Sequence, residues 1–93
     1  MKEKDIEQKL VKAVKAADGL ALKFISPGYD GVPDRLLLLP GGRIAFAEVK
    51  AHEVKPRPLQ IRRHEMLRRL GFKVYVIDGE DQIGGILDEI RAT

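Results

Sequence analysis

The chain has 93 residues and a net charge of +3, which allows one domain spanning 1–93 and a core of modest size. It has no cysteine, so disulfides and thiolate metal sites are excluded, and two histidines are too few for a structural zinc centre. No run approaches the ~18 apolar residues of a membrane span, and the first residues lack a signal-peptide core, so a cytoplasmic protein is expected.

In chain order, residues 3–18 predict a helix, because Ile6, Leu10, Val14 and Ala17 recur at helical spacing. Asp18-Gly19 ends it, with Gly19 suited to a left-handed cap. Residues 20–25 read as a strand, and the turn-rich 26–33 as an irregular loop. Strands over 34–39 and 43–50 follow, joined through Pro40-Gly41-Gly42 as a hairpin.

A second helix is expected from Leu59 to Leu70, with Leu59, Arg63, Met66, Leu67 and Leu70 on one stripe and Gly71 as its cap. Phe72 to Ile77 reads as a buried strand, with Tyr75 in the core. Asp78 is expected to cap a last helix whose Ile83, Ile86, Leu87 and Ile90 face inward; Gly84-Gly85 weakens it by roughly 1–2 kcal/mol. The order αβββαβα implies an α/β domain with a mixed sheet flanked by helices.

Alternation along the strand at 43–50 puts Glu48 and Lys50 on one face. A carboxylate there can bind a divalent cation, and an ammonium can orient an attacking water; the Val49 carbonyl is a further candidate ligand. A second acid, Asp34, opens the partner strand. A two-residue turn would send Asp34 to the other face, whereas a three-residue loop pairs Asp34 with Glu48, Leu36 with Phe46 and Leu38 with Ile44. The second register is expected. Two carboxylates ~5 Å apart repel unless a cation lies between them. Carboxylate ligands favour Mg²⁺, with Mn²⁺ able to substitute. Glu48-x-Lys50 taken alone is better described as an ordinary surface hairpin pair than as a metal site.

Charge is unevenly spread. Residues 1–42 carry seven basic and six acidic groups, 43–73 nine and three, and 74–93 one and five. The middle third is therefore the electropositive face, and a polyanion is the partner it suits. Lys55, Arg57, Arg62, Arg63, His64, Arg68 and Arg69 are the candidate phosphate contacts. Arg63 lies on the apolar stripe and alternatively pairs with an acid or covers a partner chain, and His64 sits one turn after Gln60, facing either the site or solvent. Few aromatics and no tryptophan argue against base stacking, so DNA shape and backbone are the expected readout.

Gly31-Val32-Pro33-Asp34, then Glu48-Val49-Lys50, then Gln60 at the start of the following helix resemble the virus-type replication-repair nuclease (VRR-NUC) domain of the PD-(D/E)XK phosphodiesterase superfamily. The likeness runs from Glu7 to the strand at 72–77. It implies a restriction-endonuclease-like fold, with Asp34 and Glu48 as metal ligands and Lys50 as the water-orienting residue. Glu7 would be a first-helix acid acting on the metal directly or through water, and Gln60 would hold the lysine or the nucleophile. Stand-alone members are typically phage-encoded, which places such a protein in the host cytoplasm. They imply a Mg²⁺-dependent endonuclease that acts as a homodimer on branched DNA such as the four-way junctions of DNA repair; spare apolar surface on the first and last helices is the dimer signal in the sequence itself. The alternative is a non-catalytic nucleic-acid-binding module on the same fold.

Overall fold

The computed structural model describes all 93 residues. Helix α1 (Glu3–Ala16) is followed by strands β1 (Leu20–Lys23), β2 (Arg35–Leu39) and β3 (Arg43–Val49), helix α2 (Pro58–Arg69), strand β4 (Lys73–Ile77), a 3₁₀ turn over Glu80–Gln82 and helix α3 (Ile83–Arg91). The sheet order is β1-β2-β3-β4. The first three strands are antiparallel, and β4 runs parallel to β3 after the α2 crossover.

The hairpin has the odd-length loop. Leu39 pairs with Arg43, leaving Pro40, Gly41 and Gly42 as the turn, and Leu36 pairs with Phe46 and Leu38 with Ile44. Gly41 and Gly42 both hold positive φ, at 86° and 73°, which a β-carbon disfavours. The turn chemistry and the apolar pairing thus select the same register, and it carries Asp34 to the position opposite Glu48.

One sheet face holds the core. Leu37, Leu39, Ala45, Ala47, Val49 and Ile77 meet Ile6, Leu10 and Val14 of α1 and Ile83, Leu87 and Ile90 of α3. The spacing of these helix residues gives each helix one apolar stripe, which the sheet covers. The first and last helices therefore spend most of their apolar surface on the core, with Val11 and Ile86 only partly covered. Exposed apolar side chains on the other sheet face include Leu20, Leu22 and Ile44, with Leu70 and Phe72 beside it; others, such as Ile25 and Ile61, lie on the loops and on α2.

Several element ends differ from expectation. Asp18, not Gly19, takes the left-handed conformation after α1, with φ 63°. Phe72 stays two-fifths exposed and outside β4, although it stacks edge-on against Phe46 at 5.7 Å between centroids. Asp78 does not cap α3. Instead the 3₁₀ turn leads directly into α3, and Gln82 Oε1 accepts from the amides of Asp78 and Gly79 ahead of that turn, while Asp78 Oδ2 accepts from the amide of Glu53. No helix is long and apolar enough to cross a membrane.

The largest departure is in α2. Its deepest residues are Gln60 and His64, not the leucines. Leu70 is 67% exposed, and Leu59, Arg63, Met66 and Leu67 are only partly covered. The helix lies over the end of the sheet where Glu48 sits, so its inward face must satisfy a buried carboxylate, and polar side chains serve there better than apolar ones.

Candidate active site

Asp34 and Glu48 meet where β2 begins and β3 ends. Asp34 Oδ2 accepts from the Val49 amide at 3.0 Å, which anchors the carboxylate across the hairpin. Glu48 is 1% exposed, and both its oxygens have partners. Oε1 lies 3.3 Å from His64 Nε2, and Oε2 accepts from Gln60 Nε2 at 3.2 Å. The Lys50 ammonium is 3.7 Å from the same Oε2, on a side chain only 13% exposed.

The loop and helix that frame this pair are held by specific contacts. Gly31, with φ 90°, backs onto α2, where a β-carbon would meet Leu59 and Arg63 side chains. That close approach delivers the buried Pro33 and then Asp34 to the sheet. Arg63 lies over the Tyr29 ring, 3.9 Å from its centroid, and donates to the Asp30 carbonyl. The Tyr29 hydroxyl donates to Met66 Sδ. At the start of α2, Gln60 Oε1 accepts from the Arg57 amide while its Nε2 reaches Glu48, so one side chain ties the helix end to the site.

The two carboxyls are driven apart in acidity. Asp34 is pushed up to about 7, first by burial, then by its hydrogen bond to Glu48 and the charges of Glu48 and Glu3; the Val49 amide opposes this. Burial also pushes Glu48 up, but hydrogen bonds from His64 and Asp34 and the charge of Lys50 outweigh it and hold the group below its ordinary value. Below about pH 7 the pair therefore favours holding one proton, on Asp34 rather than on Glu48.

A cleft of about 300 Å³ opens onto Asp34, lined also by Glu3, Glu7, Lys23, Phe24 and Ile25. Glu7 is not drawn onto the carboxylate pair. Its Oε2 is held by Arg35 Nε at 3.1 Å, and no three His, Cys, Asp or Glu side chains converge at metal-binding distance. In this arrangement Glu7 lines the cleft beside Asp34 while its carboxylate is engaged by Arg35. The acid whose charge reaches Asp34 is Glu3, one helical turn earlier, which the sequence reading passed over. Its signal was its i, i+4 relation to Glu7 on one face of α1.

Of the candidate phosphate contacts, His64 is 2% exposed and has no surface to offer a ligand; its ring faces Glu48 instead. Arg63 is committed to Tyr29 and Asp30, and Arg68 donates to the Val74 carbonyl. Lys55, Arg57, Arg62 and Arg69 are exposed and have no acid partner.

No family model matches the chain. It is 49% identical over 81 residues to "Putative nuclease p44" of Acyrthosiphon pisum secondary endosymbiont phage 1, covering 87% of each protein. A solved structure described as a VRR_NUC domain superposes with a TM-score of 0.86 at 33% identity, over 92% of this chain and 94% of that one.

Proposed function

This chain belongs to the VRR-NUC family, and on that premise we propose that it is a nuclease that hydrolyses DNA phosphodiesters with a divalent cation held by Asp34 and Glu48. The observation that carries this reading is the pair itself: two facing carboxyls, with burial first and the neighbouring Glu48 second pushing Asp34 up to about 7. Such a pair suits a hard cation. Mg²⁺ commonly takes one or two carboxylates and fills its remaining positions with water and substrate phosphate. The Val49 carbonyl is a candidate for a third protein oxygen, and Mn²⁺ would substitute.

The bound cation would neutralise charge building on phosphorus and on the leaving oxygen. The chain's own residues prepare the rest. His64 and Gln60 fix Glu48 in one rotamer from two sides. Lys50, tethered near Glu48, orients the attacking water for in-line approach. Asp34, half-buried and lining the cleft, meets the incoming phosphate side.

The apolar sheet face supports a homodimer. The row Leu20, Leu38, Ile44 and the row Leu22, Leu36, Phe46 run across three strands without a charged side chain. Leu20 is 57% exposed in the lone chain. An aliphatic face of this kind fits a second copy rather than a phosphate backbone. Two subunits would bring two sites to one branched DNA, so four-way junctions are the substrate proposed first.

A second reading, a nucleic-acid-binding module without catalysis, draws support from Glu48, whose oxygens are already hydrogen-bonded within the protein. One experiment separates the two. Labelled four-way junction, duplex and single strand are incubated with the protein in Mg²⁺, Mn²⁺ or EDTA, beside Lys50→Ala. Metal-dependent cutting lost in Lys50→Ala supports the nuclease. Binding that ignores Mg²⁺ and never cuts supports the module.

A further inference from the structure

A second cavity, of about 490 Å³, lies between the outer side of α1 and the edge strand β1. It adjoins the cleft at Asp34, for Glu7 and Lys23 line both. Its other charged walls are Lys4, Lys12, Lys15 and Arg35. The only acid, Glu7, is neutralised by Arg35. The four lysines have no carboxylate partner within 4.0 Å, whereas Lys9, on another side of the same helix, pairs with Glu80.

Helical geometry makes this a track. Positions 4, 12 and 15 fall on one face, which the 3.6-residue period brings into line, and Lys23 stands across from them on β1. From residue 4 to residue 15 the helix rises roughly 16 Å. That length is enough to follow several successive phosphates of one strand. Val11 is the only apolar side chain in the lining, so there is nothing here to anchor an apolar ligand or to stack a base.

We infer that this groove binds the phosphodiester backbone of a nucleic-acid strand on the α1 side of the cleft. Lys55, Arg57, Arg62 and Arg69 provide the grip contributed by α2 and the loop before it. The inference rests on the proposed nuclease function for the meaning of the cleft, but not for the binding itself. Contacts of this kind read charge and spacing, so the groove contributes affinity without sequence preference.

The test measures binding of a fluorescent DNA duplex in EDTA, across a salt series, for the wild type and three variants. These are Lys12→Ala/Lys15→Ala/Lys23→Ala, the same three positions changed to Arg, and Arg62→Ala/Arg69→Ala. All the positions are exposed, and thermal melts verify that each variant folds. The expected result is a several-fold or greater loss of affinity in the triple Ala variant. Its salt slope should become shallower by roughly 0.9 for each phosphate contact removed, and the Arg variant should keep near-wild-type binding. Unchanged affinity and slope in the triple Ala variant, with a loss in Arg62→Ala/Arg69→Ala, overturns the inference. A wild type that binds through the groove yet never cuts in Mg²⁺ leaves the inference standing and removes the nuclease. A wild type that binds no DNA removes both.

Discussion

His64 Nε2 sits 3.3 Å from Glu48 Oε1, and both side chains are almost wholly buried. Gln60 takes the other carboxylate oxygen from one turn earlier on the same helix. Residues i and i+4 of α2 thus grip one carboxylate, an arrangement only a helix crossing directly above it provides. His64→Leu keeps much of the bulk but strands Glu48 Oε1 without a partner. That costs about 1–3 kcal/mol of stability and roughly 10–100-fold in cation affinity or cleavage rate. His64→Gln, able to donate from a similar position, should recover part of the rate. Cleavage kinetics and Mg²⁺ titrations on folded variants check this; equal rates in His64→Leu and wild type would refute it.

The metal-free protein should become less stable as pH rises from about 4 to about 7. Folded Asp34 holds its proton up to about pH 7, whereas the unfolded chain releases it near the ordinary value of 3.8. In that window the native state binds more protons, so raising the pH favours unfolding. Glu48, held below its ordinary value, acts in the opposite sense, its contribution being lost as pH falls through its folded value. Because Asp34 is only half-buried, solvent screening reduces the effect to the order of 1 kcal/mol, a few degrees in Tm. Melts in EDTA should show Asp34→Asn more stable than wild type at pH 8 and nearly equal to it at pH 4. Parallel curves would exclude Asp34 as the source.

Cation binding should expel that proton. Below pH 7 the cation competes with the Asp34 proton, so affinity should rise with pH and level off above it. Calorimetry with Mg²⁺ in buffers of different ionisation enthalpy should detect nearly one proton released at pH 6 and almost none at pH 8. Glu48→Gln and Asp34→Asn should each abolish measurable binding. Binding without proton release, or surviving both substitutions, would place the cation elsewhere.

What the sequence made legible follows from which forces act alone. The hairpin register was readable because turn length, apolar pairing and the meeting of Asp34 with Glu48 all favoured one alignment. The inward face of α2 was not, since hydrophobic periodicity assumes an apolar floor, and this helix covers a carboxylate. Leu59, Met66 and Leu67 looked like its core stripe, yet Gln60 and His64 occupy it. The basic groove was hidden by averaging. Residues 1–42 nearly balance in charge, but folding gathers Lys4, Lys12, Lys15 and Lys23 on one surface and pairs Glu7 away. Arg63 read as a phosphate contact because nothing local reveals that Tyr29 folds back beneath it.

The open sheet face is where a second copy of the chain would dock. Leu22 and Ile44 are each more than two-fifths exposed and stand in adjacent apolar rows. Neither contributes to the core cluster on the opposite face. A charge at either site therefore costs the lone chain little, but in a dimer it would be buried opposite its own symmetry mate. Leu22→Glu and Ile44→Glu should each shift the protein from dimer to monomer in sedimentation equilibrium while leaving the far-UV circular dichroism unchanged. Each monomer should still bind duplex DNA, because its basic surfaces are intact, and should lose paired cutting of a four-way junction before it loses nicking. Dimers that persist in both variants would place the subunit contact on another surface.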